Sequence, residues 1–108
     1  MKGRILICDD DPIIRLDIKQ ILEQSDYEVA AEASDGFEAI ELCQKHFFDL
    51  VIMDIKLPLL DGLSAGKKIL DDELAYGVII LSAYNDDHYV QKASLTGASA
   101  YLVKPLDA

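Results

Sequence analysis

Four short apolar runs, each stopping abruptly at a polar residue, constrain this chain more than any other feature. Ile5-Leu6-Ile7-Cys8 ends in Asp9-Asp10-Asp11, Leu50-Val51-Ile52-Met53 in Asp54, Val78-Ile79-Ile80-Leu81 in Ser82, and Ala100-Tyr101-Leu102-Val103 in Lys104-Pro105. A continuous apolar run of this length reads as a strand buried on both faces, which needs cover on both sides. Tyr27 to Ala33 supplies one more strand, second in chain order.

The segments between the runs carry helical periodicity. Pro12 suits the first turn of a helix with Asp11 as N-cap. Ile14, Ile18, Ile21 and Leu22 form its apolar stripe, with Arg15, Lys19 and Glu23 on the other side. Asp35 or Ser34 caps a second helix with Phe37, Ile40, Leu42 and Phe47 on its buried face, and the pair Phe47-Phe48 reads as core. Pro58 and Asp61-Gly62 mark turns before a short helix over Leu63 to Leu70. Asn85-Asp86-Asp87 caps a helix that runs to Thr96 and is closed by Gly97, with Tyr84 in the loop before it. Strands alternating with helices imply βαβ units, and right-handed crossovers place helices on both faces of one parallel sheet. The expected class is a doubly wound α/β domain.

With 108 residues, 51% of them hydrophobic, the chain suffices for one domain around one core, and no linker or internal repeat divides it. It stops three residues after Pro105, which leaves no room for a helix after the fifth strand. The expectation is a single domain over residues 1–108 that lacks its last helix and is a piece of a longer protein. Against 10 basic residues stand 20 acidic ones, a net charge of −10. That is a poor match for the Lys and Arg contacts that dominate nucleic-acid binding, so none is expected of this domain. Cys8 and Cys43 share no ligand spacing and read as buried free thiols in a reducing cytosol. His46 and His88 read as solvated. The apolar stretch after Arg4 is too short for a signal peptide, and nothing approaches the ~20 apolar residues of a membrane span. A cytoplasmic protein without a membrane partner is expected.

In open α/β sheets ligands bind beyond the carboxyl ends of the strands, where strand order reverses. The polar residues that stop the runs all fall at such ends: Asp9 and Asp10, Asp54, Ser82 and Lys104. Any one of them is ordinary turn or surface chemistry, but the set is not. If the first and third strands are neighbours, Asp10 and Asp54 converge, and their repulsion calls for a divalent cation. Magnesium suits one or two carboxylates with open positions for water and a phosphate oxygen, and no His or thiolate is spaced for zinc. Lys104 and Ser82 would add a positive charge and a hydroxyl donor suited to a phosphoryl group. Together these groups describe a site that receives or transfers a phosphoryl group, with a carboxylate as a candidate nucleophile.

The segments ILICDDDP (5–12), DLVIMDIKLPLLDG (49–62), VIILSAY (78–84) and GASAYLVKPL (97–106) resemble, in order, the signature blocks of CheY-like response-regulator receiver domains. The resemblance implies a flavodoxin-like five-stranded parallel sheet in the order 2-1-3-4-5. It implies that Asp54 is the phosphoacceptor, that Asp10 binds Mg2+ directly and that Asp9 acts mainly through water. Lys56 would offer its backbone carbonyl to the metal. Ser82 and Lys104 would meet the phosphoryl oxygens, Tyr101 would swing inward on activation, and the Lys104-Pro105 bond would be cis. The implied partners are a sensor histidine kinase, a C-terminal effector domain and, on phosphorylation, a second copy of the chain. Cys8 departs from the commoner Val before the acidic pair, and a small buried thiol can mimic it.

The type of output stays open. PIIRLDI (12–18), VIMDIKLP (51–58) and AYLVKP (100–105) look most like receivers attached to ANTAR domains, RNA-binding modules of transcription antitermination. A DNA-binding output and a stand-alone, phosphate-independent interaction domain are the alternatives. An aspartate-nucleophile phosphatase of the haloacid dehalogenase kind would need Asp where Lys56 stands. A flavodoxin-type nucleotide site would need a small, uncharged phosphate loop where Asp9-Asp10-Asp11 stands.

Overall fold

The computed structural model describes residues 3–83 and 87–104, the side chains of 87–89 excepted. Expectations for Tyr84, the Asn85-Asp86-Asp87 cap, His88 and the Lys104-Pro105 bond therefore lie outside the described residues. The elements alternate as β1 Arg4–Cys8, α1 Pro12–Gln24, β2 Glu28–Ala33, α2 Gly36–Lys45, β3 Phe48–Met53, α3 Gly62–Asp71, β4 Ala75–Ser82, α4 Asp87–Thr96 and β5 Ala100–Val103. All five strands are parallel, and their order across the sheet is β2-β1-β3-β4-β5.

Strand pleating divides the core in two. Ile5, Ile7, Ile52 and Leu81 point to the α1 face and pack with Ile18. Leu6, Cys8, Val51, Met53, Val78 and Ile80 point the other way, onto Ala39 and Cys43 of α2 and Ala65 and Ile69 of α3. In β1, β3 and β4 the runs contain no polar residue because both faces of these strands are covered, whereas Leu102 and Val103 at the end of β5 are exposed.

Aspartates open the first three helices. Asp11 accepts from Ile13 N at 2.9 Å, Asp35 from Glu38 N at 2.8 Å and Asp61 from Ser64 N at 2.8 Å. Each satisfies a backbone donor that a helix start leaves free. Asp35, rather than Ser34, is the second cap, and Glu38 reaches back to Ser34 N at 2.7 Å. Gly97 closes α4 with φ +88°, the left-handed conformation expected of it.

The neighbouring phenylalanines part company. Phe48 opens β3 and is fully buried, whereas Phe47 lies between α2 and β3 and is 55% exposed. Phe37, in the first turn of α2, is also exposed, and the fully buried side chains of that helix are Ala39 and Cys43. Ile40 and Leu42, also expected on the buried face, are partly buried and pack against the same core cluster. β3 and β4 start at Phe48 and Ala75, two and three residues before their continuous apolar runs, because half-covered strand ends tolerate Asp49 and Tyr76. Phe48→Ala is expected to lower unfolding free energy by about 3–5 kcal/mol. Phe47→Ala should change it by less than about 0.5 kcal/mol. Urea denaturation of the two variants checks the assignment.

Candidate functional site

The register brings the strand ends level. Cys8 pairs with Met53, so Asp9 and Asp54 leave the sheet side by side, and Asp54 N donates to the Cys8 carbonyl at 3.0 Å. Ser82 pairs with Val103, and Lys104 N donates to the Ser82 carbonyl at 2.8 Å. From there the Lys104 side chain reaches back across the sheet. Its ammonium donates to Asp9 Oδ2 at 2.6 Å and to Asp54 Oδ2 at 3.1 Å. The loop after Asp54 folds tightly over the strand end, with Gly62 N donating to the Ile55 carbonyl at 2.9 Å. A Cβ on Gly62 would overlap the Asp54 carbonyl oxygen, so only glycine permits this approach.

The three consecutive aspartates have three different fates. Asp9 is buried with every polar atom engaged: its N–H donates to the Ala33 carbonyl and its Oδ1 accepts from Asp11 N. Its Oδ2 meets Lys104, and its carbonyl accepts from Arg15 Nη1 at 2.6 Å. Asp11 is the cap of α1. Asp10 is exposed, and among the described residues its carboxylate has no hydrogen bond or ion pair. Carboxylate oxygens of Asp9, Asp10 and Asp54 lie within 4.8 Å of one another.

Charge explains what such a cluster can hold. Three carboxylates face one ammonium, which leaves a deficit of two charges. Burial raises the pKa of Asp54, Lys104 lowers it, Asp9 raises it further, and the net direction is upward. Lys104 moves up as well: burial pulls it down, but the hydrogen bond to Asp9 and the charge of Asp54 outweigh that. The two directions agree physically, because one cation gains from two anions while the anions must share it. A small divalent ion meets the deficit, and oxygen-only donors suit a hard cation. Burial pushes the Cys8 thiol far up and that of Cys43 to about 11. Both are therefore neutral thiols and neither offers a thiolate ligand.

Of the residues singled out in the sequence, Asp9, Asp10, Asp54 and Lys104 are brought together. Ser82 is fully buried at the end of β4. Lys56 lies two residues after Asp54 with an exposed side chain. Tyr101 is half-buried on β5 and lines a cavity of about 140 Å³ beside Val90 and Ala93 of α4. Arg15 was not singled out, since helical periodicity puts it on the polar side of α1. It is instead largely covered, joining the Asp9 carbonyl to Glu32 Oε1 of β2 at 3.1 Å. No spacing rule signals this, because the contact is made across three elements.

An acidic cluster and a partly buried lysine at the carboxyl edge of a 2-1-3-4-5 parallel sheet define a doubly wound signalling fold. The chain belongs to the response regulator receiver domain family, whose model matches residues 5–108. It is 43% identical over 102 residues to the transcriptional regulatory protein PdtaR of Mycobacterium tuberculosis, covering 94% of this chain and 49% of PdtaR. The chain thus spans about half the length of that relative. The receiver domain of the response regulator NarL from the same species superposes with a TM-score of 0.92 at 30% identity, covering 98% of this chain and 86% of that one. CheY in the CheX-CheY-BeF3-Mg complex of Borrelia burgdorferi gives 0.88 at 30% identity, covering 96% and 79%.

The raised pKa of Asp54 fixes the sign of a pH effect. The folded state holds this proton more tightly than the unfolded chain, so ionising Asp54 costs stability as pH rises from 3.8 through the raised value. The stability of Asp54→Asn relative to the parent should therefore grow across that window and then level off. Urea midpoints measured for both proteins without divalent ions, between pH 4 and 8, check it.

Proposed function

We propose that this chain is a phosphoacceptor switch in which Asp54 takes a phosphoryl group from a phosphohistidine of a sensor kinase. The observation that carries the reading is the Lys104 ammonium held between two buried carboxylates, beside the exposed carboxylate of Asp10. Attack by an Asp54 carboxylate oxygen forms an O–P bond as the P–N bond to the kinase histidine breaks, and the imidazole leaves with the electron pair. Lys104 gives up part of its contact with Asp54 and follows the phosphoryl oxygens, where its charge offsets theirs. Its bond to Asp9 keeps the ammonium at the site meanwhile.

Mg2+ is the proposed cofactor, with Asp10 and Asp54 as direct ligands, Asp9 through water and Lys56 through its carbonyl. When bound it supplies positive charge and orientation for the transferring oxygens. The Borrelia complex, which holds BeF3 and Mg2+ together, favours the same pairing in a relative. Ser82 would then turn toward the phosphoryl group, and Tyr101 inward from its half-buried place beside α4. That shifts a two-state surface around α4 and β5 toward an effector domain or a second copy. Residues 1–108 serve as the receiver of a longer regulator, a regulatory phosphoacceptor that assists transfer of the phosphoryl group onto itself and its slow loss, with no separate substrate. Transcriptional control is the favoured output, since a transcriptional regulatory protein is a relative, and RNA-binding antitermination is the form the ANTAR-like segments suggest. Among the described residues no helix is long and apolar enough to cross a membrane, and a cytoplasmic location is proposed.

Incubation with acetyl phosphate and Mg2+, followed by intact-mass analysis, tests the switch. One phosphoryl adduct should appear, require the metal and vanish in Asp54→Asn; its absence from the folded parent protein sinks the reading. Mg2+ at about a hundred times its dissociation constant should add ~2.7 kcal/mol of stability, raising Tm on the order of 10 °C. Asp10→Asn should abolish most of that rise.

A further inference from the structure

Arg15 is the one long cation on α1 that turns inward to the acidic cluster without touching a carboxylate of it. Its guanidinium donates through Nη1 to the Asp9 carbonyl at 2.6 Å and through Nε to Glu32 Oε1 at 3.1 Å. Glu32 belongs to β2, whose last residue, Ala33, accepts from Asp9 N at 3.1 Å. The peptide that joins Asp9 to Asp10 is therefore held through its carbonyl by Arg15, and the peptide before it, through Asp9 N, by Ala33. On the far side of Asp10, Asp11 N donates to Asp9 Oδ1 at 3.0 Å, whereas the Asp10 side chain itself is exposed and, among the described residues, unpaired.

We propose that Arg15 is a positioning residue that sets the direction in which Asp10 leaves β1, and so the metal affinity of the cluster. The inference rests on the reading of the site as a divalent-cation and phosphoryl site. The physical argument is one of geometry against field. As a charge, Arg15 opposes a nearby cation, so removing it should tighten metal binding. As a clamp on the backbone that carries a ligand, it favours binding, because a ligand free to wander must be ordered when the ion arrives. A planar guanidinium can hold two acceptors at once in fixed directions, which an ammonium does less well. The partly buried hydrogen bond to the Asp9 carbonyl and the second contact with Glu32 favour the clamp.

The two accounts predict opposite signs. Mn2+ binding, followed by loss of its free-ion EPR signal and competed with Mg2+, is measured for the parent, Arg15→Met and Arg15→Lys. Met keeps the packed stem and removes the clamp, and the dissociation constant should rise about tenfold. Lys keeps the charge but loses the fork, and the constant should rise roughly threefold. At saturating metal both variants should accept a phosphoryl group from acetyl phosphate as fully as the parent, since Arg15 acts only through the cluster. An unchanged or tighter constant in a folded Arg15→Met overturns the proposal. If Met does not fold, circular dichroism reveals it, and a parental constant in Arg15→Lys overturns the proposal instead. A parent that binds no Mn2+ overturns both this inference and the reading beneath it, whereas normal binding by parent and variants alike overturns this one alone.

Discussion

The contact between the Lys104 ammonium and the carboxylates of Asp9 and Asp54 organises the rest of the molecule. It spans the sheet from β5 to β1 and closes only if those strand ends stand level. Two buried anions sharing one cation are poorly compensated, so the site is costly without a further positive charge. The cost is borne by the core on both faces of the sheet, which has no part in the chemistry. Rigid, apolar strands also keep the polar groups from drifting apart in search of water.

That frame explains how one run of three aspartates does three things. Asp9 is immobilised by four contacts and serves as the fixed partner of Lys104. Asp10 is left free toward solvent and the cluster, and Asp11 starts α1. The neighbours differ by where the strand stops and the helix begins, not by their chemistry. Gly62 completes the arrangement from the other side, because the loop behind Asp54 has no room for a side chain there.

Much of this was legible from residue order. Apolar runs marked all but one of the strands, Asp11 marked a helix start, and the polar residues at the run ends marked the site. The misreadings share one cause. Phe37 and Phe47 are large and apolar, yet the core side of α2 is taken by Ala39 and Cys43 with Ile40 and Leu42 partly buried beside them, and both aromatics are exposed. Arg15 has the charge and helical phase of a solvent residue, but two acceptors from β1 and β2 draw it in. Periodicity reports which side of an element a residue lies on; it carries no information about how closely the next element approaches.

By itself the sequence determined the alternation of strands and helices, the doubly wound class and the residue types at each strand end, because hydrophobic period and capping are local properties. The tertiary structure decided which of those ends meet. Pairing β1 with β3 made Asp9 and Asp54 neighbours, and the reach of Lys104 over the sheet tied them to β5. It also decided that Asp9 is saturated while Asp10, among the described residues, is unpaired. Such outcomes depend on distances between groups far apart in the chain, which are set only when the whole core packs.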